Sequence, residues 1–170
     1  MNFNTALEYW MLLSTGMLGI GDNAPNFTLT ANDRTSVTLS DCTGQRVVLA
    51  FYPAAFTGVC KAEMCTFTES MAKLDEANAT IFGISVDSPF SNNAFAEENG
   101  IGFKLLSDVT REVIAAYGVR LEDFVIDGFT VAQRAVFIIE ADGTIGYTWI
   151  ADSPGTEPDY DAVITHCLNS

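Results

Sequence analysis

Three stretches constrain this chain more than any other feature: RVVLAFY (46–52), TIFGISVD (80–87) and RAVFIIE (134–140). Each is a near-continuous run of apolar, mostly β-branched or aromatic residues. A strand with one wet face alternates apolar and polar residues, and these do not. They read as central strands buried on both faces, which need covering layers above and below. The segments between them supply that cover. From Thr57 or Gly58 to about Asn78, Val59, Met64, Phe67, Met71 and Leu74 recur at helical spacing. Residues 89–99 predict a helix capped by Ser88, 110–117 a short helix and 160–168 a closing one. FTLT (27–30), SVTLS (36–40) and FKLLSD (103–108) predict shorter strands, and Asp142-Gly143 turns the third long strand into TIGYTWI (144–150) as a hairpin. The pattern is α/β, with a central mixed sheet flanked by helices on both faces.

The chain has 170 residues, of which 48% are hydrophobic. That suits one domain, placed at 18–170, and leaves little for a second. Residues 1–17 read as an extension, either an upstream start or an amphipathic segment able to form a short helix. No apolar run approaches 18 residues, so no membrane span is expected. The opening MNFNTALEYWMLLSTGML lacks a basic start, which argues against a secretory signal and for a cytoplasmic protein. The net charge of −14 repels nucleic acid and anionic membranes. It fits a high-salt cytoplasm or simple solubility, and the scarcity of lysine (Lys61, Lys73, Lys104) points to the former.

The four cysteines, Cys42, Cys60, Cys65 and Cys167, are too few for a disulfide scaffold. With one histidine, His166, and no Cys-x2-Cys, they do not suggest a metal site, and no cofactor is expected. Two of them lie in AFYPAAFTGVCKAEMCTF (50–67). If RVVLAFY is central, its carboxyl end opens where α/β proteins commonly bind ligands. PAAFTG then leads into a helix with Cys60 in its first turn. Free amides and the positive helix end there favour thiolate, the nucleophilic form. Thr57 would cap the helix or turn its hydroxyl to the sulfur. Pro53 fixes the turn. The alternative is a buried Cys60 that only packs. A reactive Cys60 would attack a peroxide, a disulfide or an acyl group, and spacing does not choose among them.

Pro53-x3-Thr57-x2-Cys60, after the pair Phe51-Tyr52, resembles the active-site signature of peroxiredoxins. Phe56 and Glu63 fit the same pattern. GDNAPNFTL (21–29) is similar to the family's amino-terminal segment, and Arg134 leading into VFIIEADGTIGY is similar to its strand-borne arginine and hairpin. The resemblance covers about Leu18 to the end. It implies a thioredoxin-like fold and reduction of hydroperoxides through a cysteine sulfenic acid. In that reading Cys60 is the peroxidatic cysteine, Thr57 hydrogen-bonds peroxide and thiolate, Arg134 favours the thiolate and the developing charge, and Pro53 shields the site. A surface ion pair is the alternative role for Arg134.

Something must reduce the sulfenic acid. Five residues along an intact helix put Cys60 and Cys65 about 140° apart, with Cα atoms roughly 8–9 Å apart. A disulfide needs less than about 7 Å, so the pair closes only if the helix start unwinds. Within the family the chain resembles the bacterioferritin comigratory protein-like / alkyl hydroperoxide reductase-like subgroup; proteins resembling bacterioferritin comigratory protein place a resolving cysteine at this spacing, which implies that role for Cys65 and re-reduction by a thioredoxin-like dithiol. The alternatives are a core Cys65 with an external thiol, or Cys167 as an intersubunit partner. Cys42 reads as a bystander, and His166 as a surface residue, with a proton partner for Cys167 as the alternative. A disulfide oxidoreductase would need the absent Cys-x2-Cys. A non-enzymatic thioredoxin-fold module would not need Pro53, Thr57, Cys60 and Arg134 together. A homodimer is expected, with Ala54 to Phe56 as a contact.

Overall fold

The buried runs become adjacent strands in the computed structural model, which describes residues 18–169. The helix considered for the first 16 residues lies outside the described residues. In chain order the elements are β1 (Thr28–Ala31), β2 (Ser36–Thr38), β3 (Arg46–Phe51), α1 (Gly58–Glu69), α2 (Met71–Glu76), β4 (Ala79–Ser85), α3 (Pro89–Asn99), β5 (Leu105–Ser107), α4 (Glu112–Ala116), β6 (Arg120–Leu121), β7 (Val131–Ala132), β8 (Ala135–Ile139), β9 (Ile145–Ile150) and α5 (Tyr160–Asn169). Seven strands form one sheet in the order β2-β1-β5-β4-β3-β8-β9, and β6 pairs with β7 separately. The pairs β3–β4 and β4–β5 are parallel, whereas β3–β8, β8–β9, β1–β2 and β1–β5 are antiparallel. The expected mixed sheet is present.

The strand period of two explains the double core. Val47, Leu49 and Phe51 of β3, with Phe137 and Ile139 of β8, face a layer completed by Val113 and Ile114 of α4. Val48, Ala50, Val136 and Ile138 face the other way, onto Met64, Phe67, Leu74, Phe95, Val163 and Ile164 from α1, α2, α3 and α5. Helices therefore cover both faces, four on one side and the short α4 on the other.

The predicted helix over 57–78 is interrupted at Ser70. Thr66, Thr68 and Ser70 each turn a hydroxyl back onto the carbonyl four residues earlier, at 2.9–3.0 Å. Such back-bonding competes with the helix ladder and bends it. The helix expected from Thr110 begins only at Glu112, because Arg111 is left-handed (φ 64°) and the buried Asp108 carboxylate accepts the amides of Val113 and Ile114. SVTLS pairs only through Thr38 before a 3-10 turn over Leu39–Cys42, and FKLLSD pairs only over Leu105–Ser107. The two-residue strands β6 and β7 are too short to leave a periodic signal. The Asp142-Gly143 hairpin is as expected, with Gly143 at φ 88°.

Candidate active site

The sheet assembles the site because β8 runs antiparallel to β3, pairing Phe51 with Ala135. The end of β3 and the start of β8 meet at one edge. The chain leaves β3 through the buried Tyr52 and Pro53, crosses a short loop with Phe56 left-handed (φ 63°), and enters α1 at Gly58. Cys60 is the third residue of α1 and is fully buried. Its position in the first turn puts it beside the amides a helix terminus leaves unpaired. Arg134, immediately before β8, reaches across this edge.

The Arg134 side chain is 1% exposed and all three guanidinium nitrogens are hydrogen-bonded. Nη2 donates to Cys60 Sγ at 3.2 Å and to the Pro154 carbonyl at 2.9 Å, Nε donates to the same carbonyl at 3.1 Å, and Nη1 donates to Glu63 Oε2. Glu63 lies three residues after Cys60, and that spacing puts both on one helix face. One planar guanidinium therefore serves the sulfur and the carboxylate together, which a lysine does not match. Burial raises Glu63 more than Arg134 lowers it, and its carboxyl is held at about 7; its Oε1 has no hydrogen-bond partner among the described residues. Burial lowers Arg134, but Glu63 and Cys60 outweigh this and hold it charged. The ion pair anticipated for a surface arginine exists, but in the interior.

Thr57 occupies the cap position of α1 by its backbone without capping it. Its hydroxyl donates to the Ala54 carbonyl at 2.9 Å, so its proton is committed and its oxygen is left as an acceptor. Cys65 is half-buried on α1, with its thiol directed to the Asn99 carbonyl at 3.8 Å, at the end of α3. Cys60 and Cys65 share one unbroken helix and are free thiols. Cys167 is buried, with burial raising its thiol to about 11, and its carbonyl accepts from Arg46 at the start of β3. It is thus at the far end of the sheet from Cys60. His166 Nε2 lies 2.5 Å from Glu140 Oε1 in the same far cluster, not near Cys60. Cys42 is half-buried in the 3-10 turn after β2. No group of three metal-ligating side chains occurs among the described residues.

A model of the AhpC/TSA family matches residues 20–148. The chain belongs to the AhpC/TSA family. It is 36% identical over 148 residues to Escherichia coli Peroxiredoxin Bcp, covering 86% of this chain and 94% of that one. It is 34% identical over 153 residues to Streptococcus gordonii Thiol peroxidase, covering 89% and 90%. Among solved structures, Mycobacterium tuberculosis peroxidoxin BcpB superposes with a TM-score of 0.78 at 29% identity, covering 90% of this chain and 99% of that one. Mycobacterium tuberculosis AhpC gives 0.78 at 28%, covering 90% and 92%. The protein is a peroxiredoxin of the bacterioferritin comigratory type with the thioredoxin-like fold, and its activity is thiol-dependent reduction of peroxides.

Several groups around this peroxiredoxin site were not predicted from the sequence. Pro154 acts through its carbonyl, which any residue carries. Asp87 accepts the Ala55 amide at 2.9 Å, and Asn92 accepts the Tyr52 hydroxyl at 2.7 Å. The position of Asp87 at the carboxyl end of β4, beside the end of β3, was the available signal.

Proposed function

We propose that Cys60 is the peroxidatic cysteine and Cys65 its resolving partner. The observation that supports this best is the contact of Arg134 Nη2 with Cys60 Sγ at the amino end of α1. Cys60 thiolate attacks one oxygen of ROOH. The O–O bond breaks, sulfur becomes S–OH, and RO⁻ leaves and takes a proton to become an alcohol, or water when R is hydrogen. Arg134, donating to the sulfur and fixed by Glu63 and Pro154, offers preorganised positive charge where negative charge moves. Thr57 Oγ accepts a hydrogen bond from the peroxide O–H, its own proton being held by Ala54. Pro53, buried at the loop start, limits water around the sulfur. The family relationship supports hydrogen peroxide and organic hydroperoxides as substrates.

Cys65 then attacks the Cys60 sulfenic acid, forming an S–S bond and releasing water, and an external dithiol of the thioredoxin kind reduces the disulfide. This closes only if the first turns of α1 open. We place residues 18–170 in one domain, in a reducing compartment such as the cytoplasm, which four unpaired cysteines suit. A homodimer joined at the active-site face is part of the same reading. Phe56, Phe90 and Val109 follow β3, β4 and β5 on one side of the sheet and are 54%, 73% and 50% exposed.

The test is intact mass and peptide mapping after one equivalent of hydrogen peroxide, on wild type and Cys65→Ser. A Cys60–Cys65 disulfide in wild type and a sulfenic acid trapped on Cys60 in the variant are expected. A wild type that stops at Cys60 sulfenic acid removes Cys65 from the cycle, and an unoxidised Cys60 refutes its role.

A further inference from the structure

The loop carrying Thr57 is tied to β4 by a chain of hydrogen bonds whose proton directions follow from chemistry. Tyr52, buried and held well above its ordinary pKa by that burial, donates its O–H to Asn92 Oδ1 at 2.7 Å. The two Asn92 amide protons go to Ser107 Oγ at 3.2 Å and Ser85 Oγ at 3.3 Å. Ser85 Oγ also accepts the Asp87 amide at 3.2 Å, and its one proton goes to the nearer, charged Asp87 Oδ2 at 2.8 Å in preference to Asn92 Oδ1 at 3.3 Å. The same Oδ2 accepts the Ala55 amide at 2.9 Å. The carboxylate oxygen is the terminal acceptor of the network.

The Ala55 N–H and the Ala54 carbonyl belong to one peptide unit. Asp87 holds its N–H end, and the Thr57 hydroxyl donates to its C=O end at 2.9 Å. Because the unit is planar and rigid, turning it about its axis moves both groups together. We propose that Asp87 is a positioning residue for peroxide reduction: by holding the 54–55 peptide, it aims the Thr57 hydroxyl and leaves that oxygen as the acceptor for peroxide. The proposal rests on the role given to Thr57 above. Asp87 touches neither sulfur nor substrate in this scheme.

The experiment measures the second-order rate of Cys60 with hydrogen peroxide by stopped flow, and alkylation by iodoacetamide as a readout of sulfur reactivity alone. The variants are Asp87→Ala, Asp87→Asn, Thr57→Val and the double Asp87→Ala/Thr57→Val. A misplacement of about 1 Å costs on the order of 10²-fold, so Asp87→Ala and Thr57→Val should each lose about that much peroxide rate while alkylation stays close to wild type. Asp87→Asn, whose amide oxygen can take both bonds, should restore most of the rate. The double variant should match Thr57→Val within roughly twofold, since both act through one hydroxyl. Should Asp87→Ala not fold, Asp87→Ser, with a shorter side chain, replaces it with the same expectations. Thr57→Val at the wild-type rate refutes the role of Thr57. A reduced Thr57→Val beside an unaffected Asp87→Ala, losses that multiply in the double variant, or a parallel loss of alkylation overturns the role of Asp87.

Discussion

Removing Arg134 should separate what it does for stability from what it does for reactivity. Arg134→Met keeps an unbranched apolar side chain but leaves Glu63 buried without its cation. Breaking a buried pair by deleting one partner costs about 3–5 kcal/mol, because an uncompensated charge remains. For a domain of this size each kcal/mol moves the melting temperature by roughly 2–4 °C, which gives a fall of about 6–20 °C. Without Arg134 the Glu63 carboxyl is pushed higher still, so its protonation softens the loss already at neutral pH, where the lower end of that range is expected, and the full loss is read at alkaline pH. Adding Glu63→Gln removes the stranded charge, so Arg134→Met/Glu63→Gln should recover most of the lost stability.

Reactivity should not follow. The double variant still lacks the donor 3.2 Å from Cys60 Sγ. Losing one preorganised donor to developing charge typically costs on the order of 10²–10³ in rate. Thermal melts and stopped-flow reaction with hydrogen peroxide on the two variants make the comparison. A double variant that regains both stability and the wild-type peroxide rate would show that Arg134 only neutralises Glu63. An Arg134→Met protein as stable as wild type would refute the burial argument.

Three further substitutions test the packing of the fold. A Cβ at Gly83 would lie 2.6 Å from Leu105 Cδ2, 3.1 Å from Tyr52 Cε1 and 3.2 Å from Met64 Sδ; Gly83→Ala should cost about 1–3 kcal/mol in urea unfolding, as overpacked cores do. Asp108→Ala removes the acceptor for two amides at the start of α4 and should cost about 1–2 kcal/mol by the same measurement, with Asp108→Asn less affected. Gly146→Ala would drive a methyl into the Glu140 carboxylate, displacing it from Arg46 and His166. Its melting temperature should fall while the peroxide rate, governed at the other end of the sheet, stays at the wild-type level.

The long strands were legible because burial on both faces leaves an unbroken apolar run, as in β3 and β8. The placement of Cys60 was legible because a loop from a central strand into a helix puts a first-turn residue at the sheet edge. What stayed hidden depends on contacts between distant segments or on groups every residue has. Pro154 enters through its backbone carbonyl. The placement of Asp87 beside Ala55 needs the parallel β3–β4 pairing, in which Phe51 lies opposite Ile84. The break at Ser70 was written in Thr66, Thr68 and Ser70, but apolar spacing carries straight through them. Thr57 shows the limit of local rules: its sequence position and backbone are those of a cap, yet its hydroxyl is taken by Ala54.

Glu63 lies between the two cysteines, and this gives the proposed disulfide step a pH dependence. Opening the first turns of α1 carries Glu63 from a buried site, where its carboxyl is held at about 7, toward water, where 4.5 is ordinary. Between those values the closed form binds the extra proton. Opening therefore releases it, and the opening equilibrium rises with pH by up to about tenfold per unit, levelling above about 7. Low pH keeps Glu63 neutral and α1 closed; neutral pH charges it and favours exposure. Disulfide formation after a peroxide pulse should therefore accelerate between pH 5 and 7. The same pulse applied to Glu63→Gln, which has no carboxyl to titrate, supplies the reference, so the ratio of wild-type to variant rates reports the carboxyl. That ratio, followed by quenched-flow mass spectrometry, should climb with pH and flatten above 7. A ratio constant from pH 5 to 7 would mean that Glu63 keeps its buried environment throughout the step, and that the two sulfurs join without opening the turn that holds it.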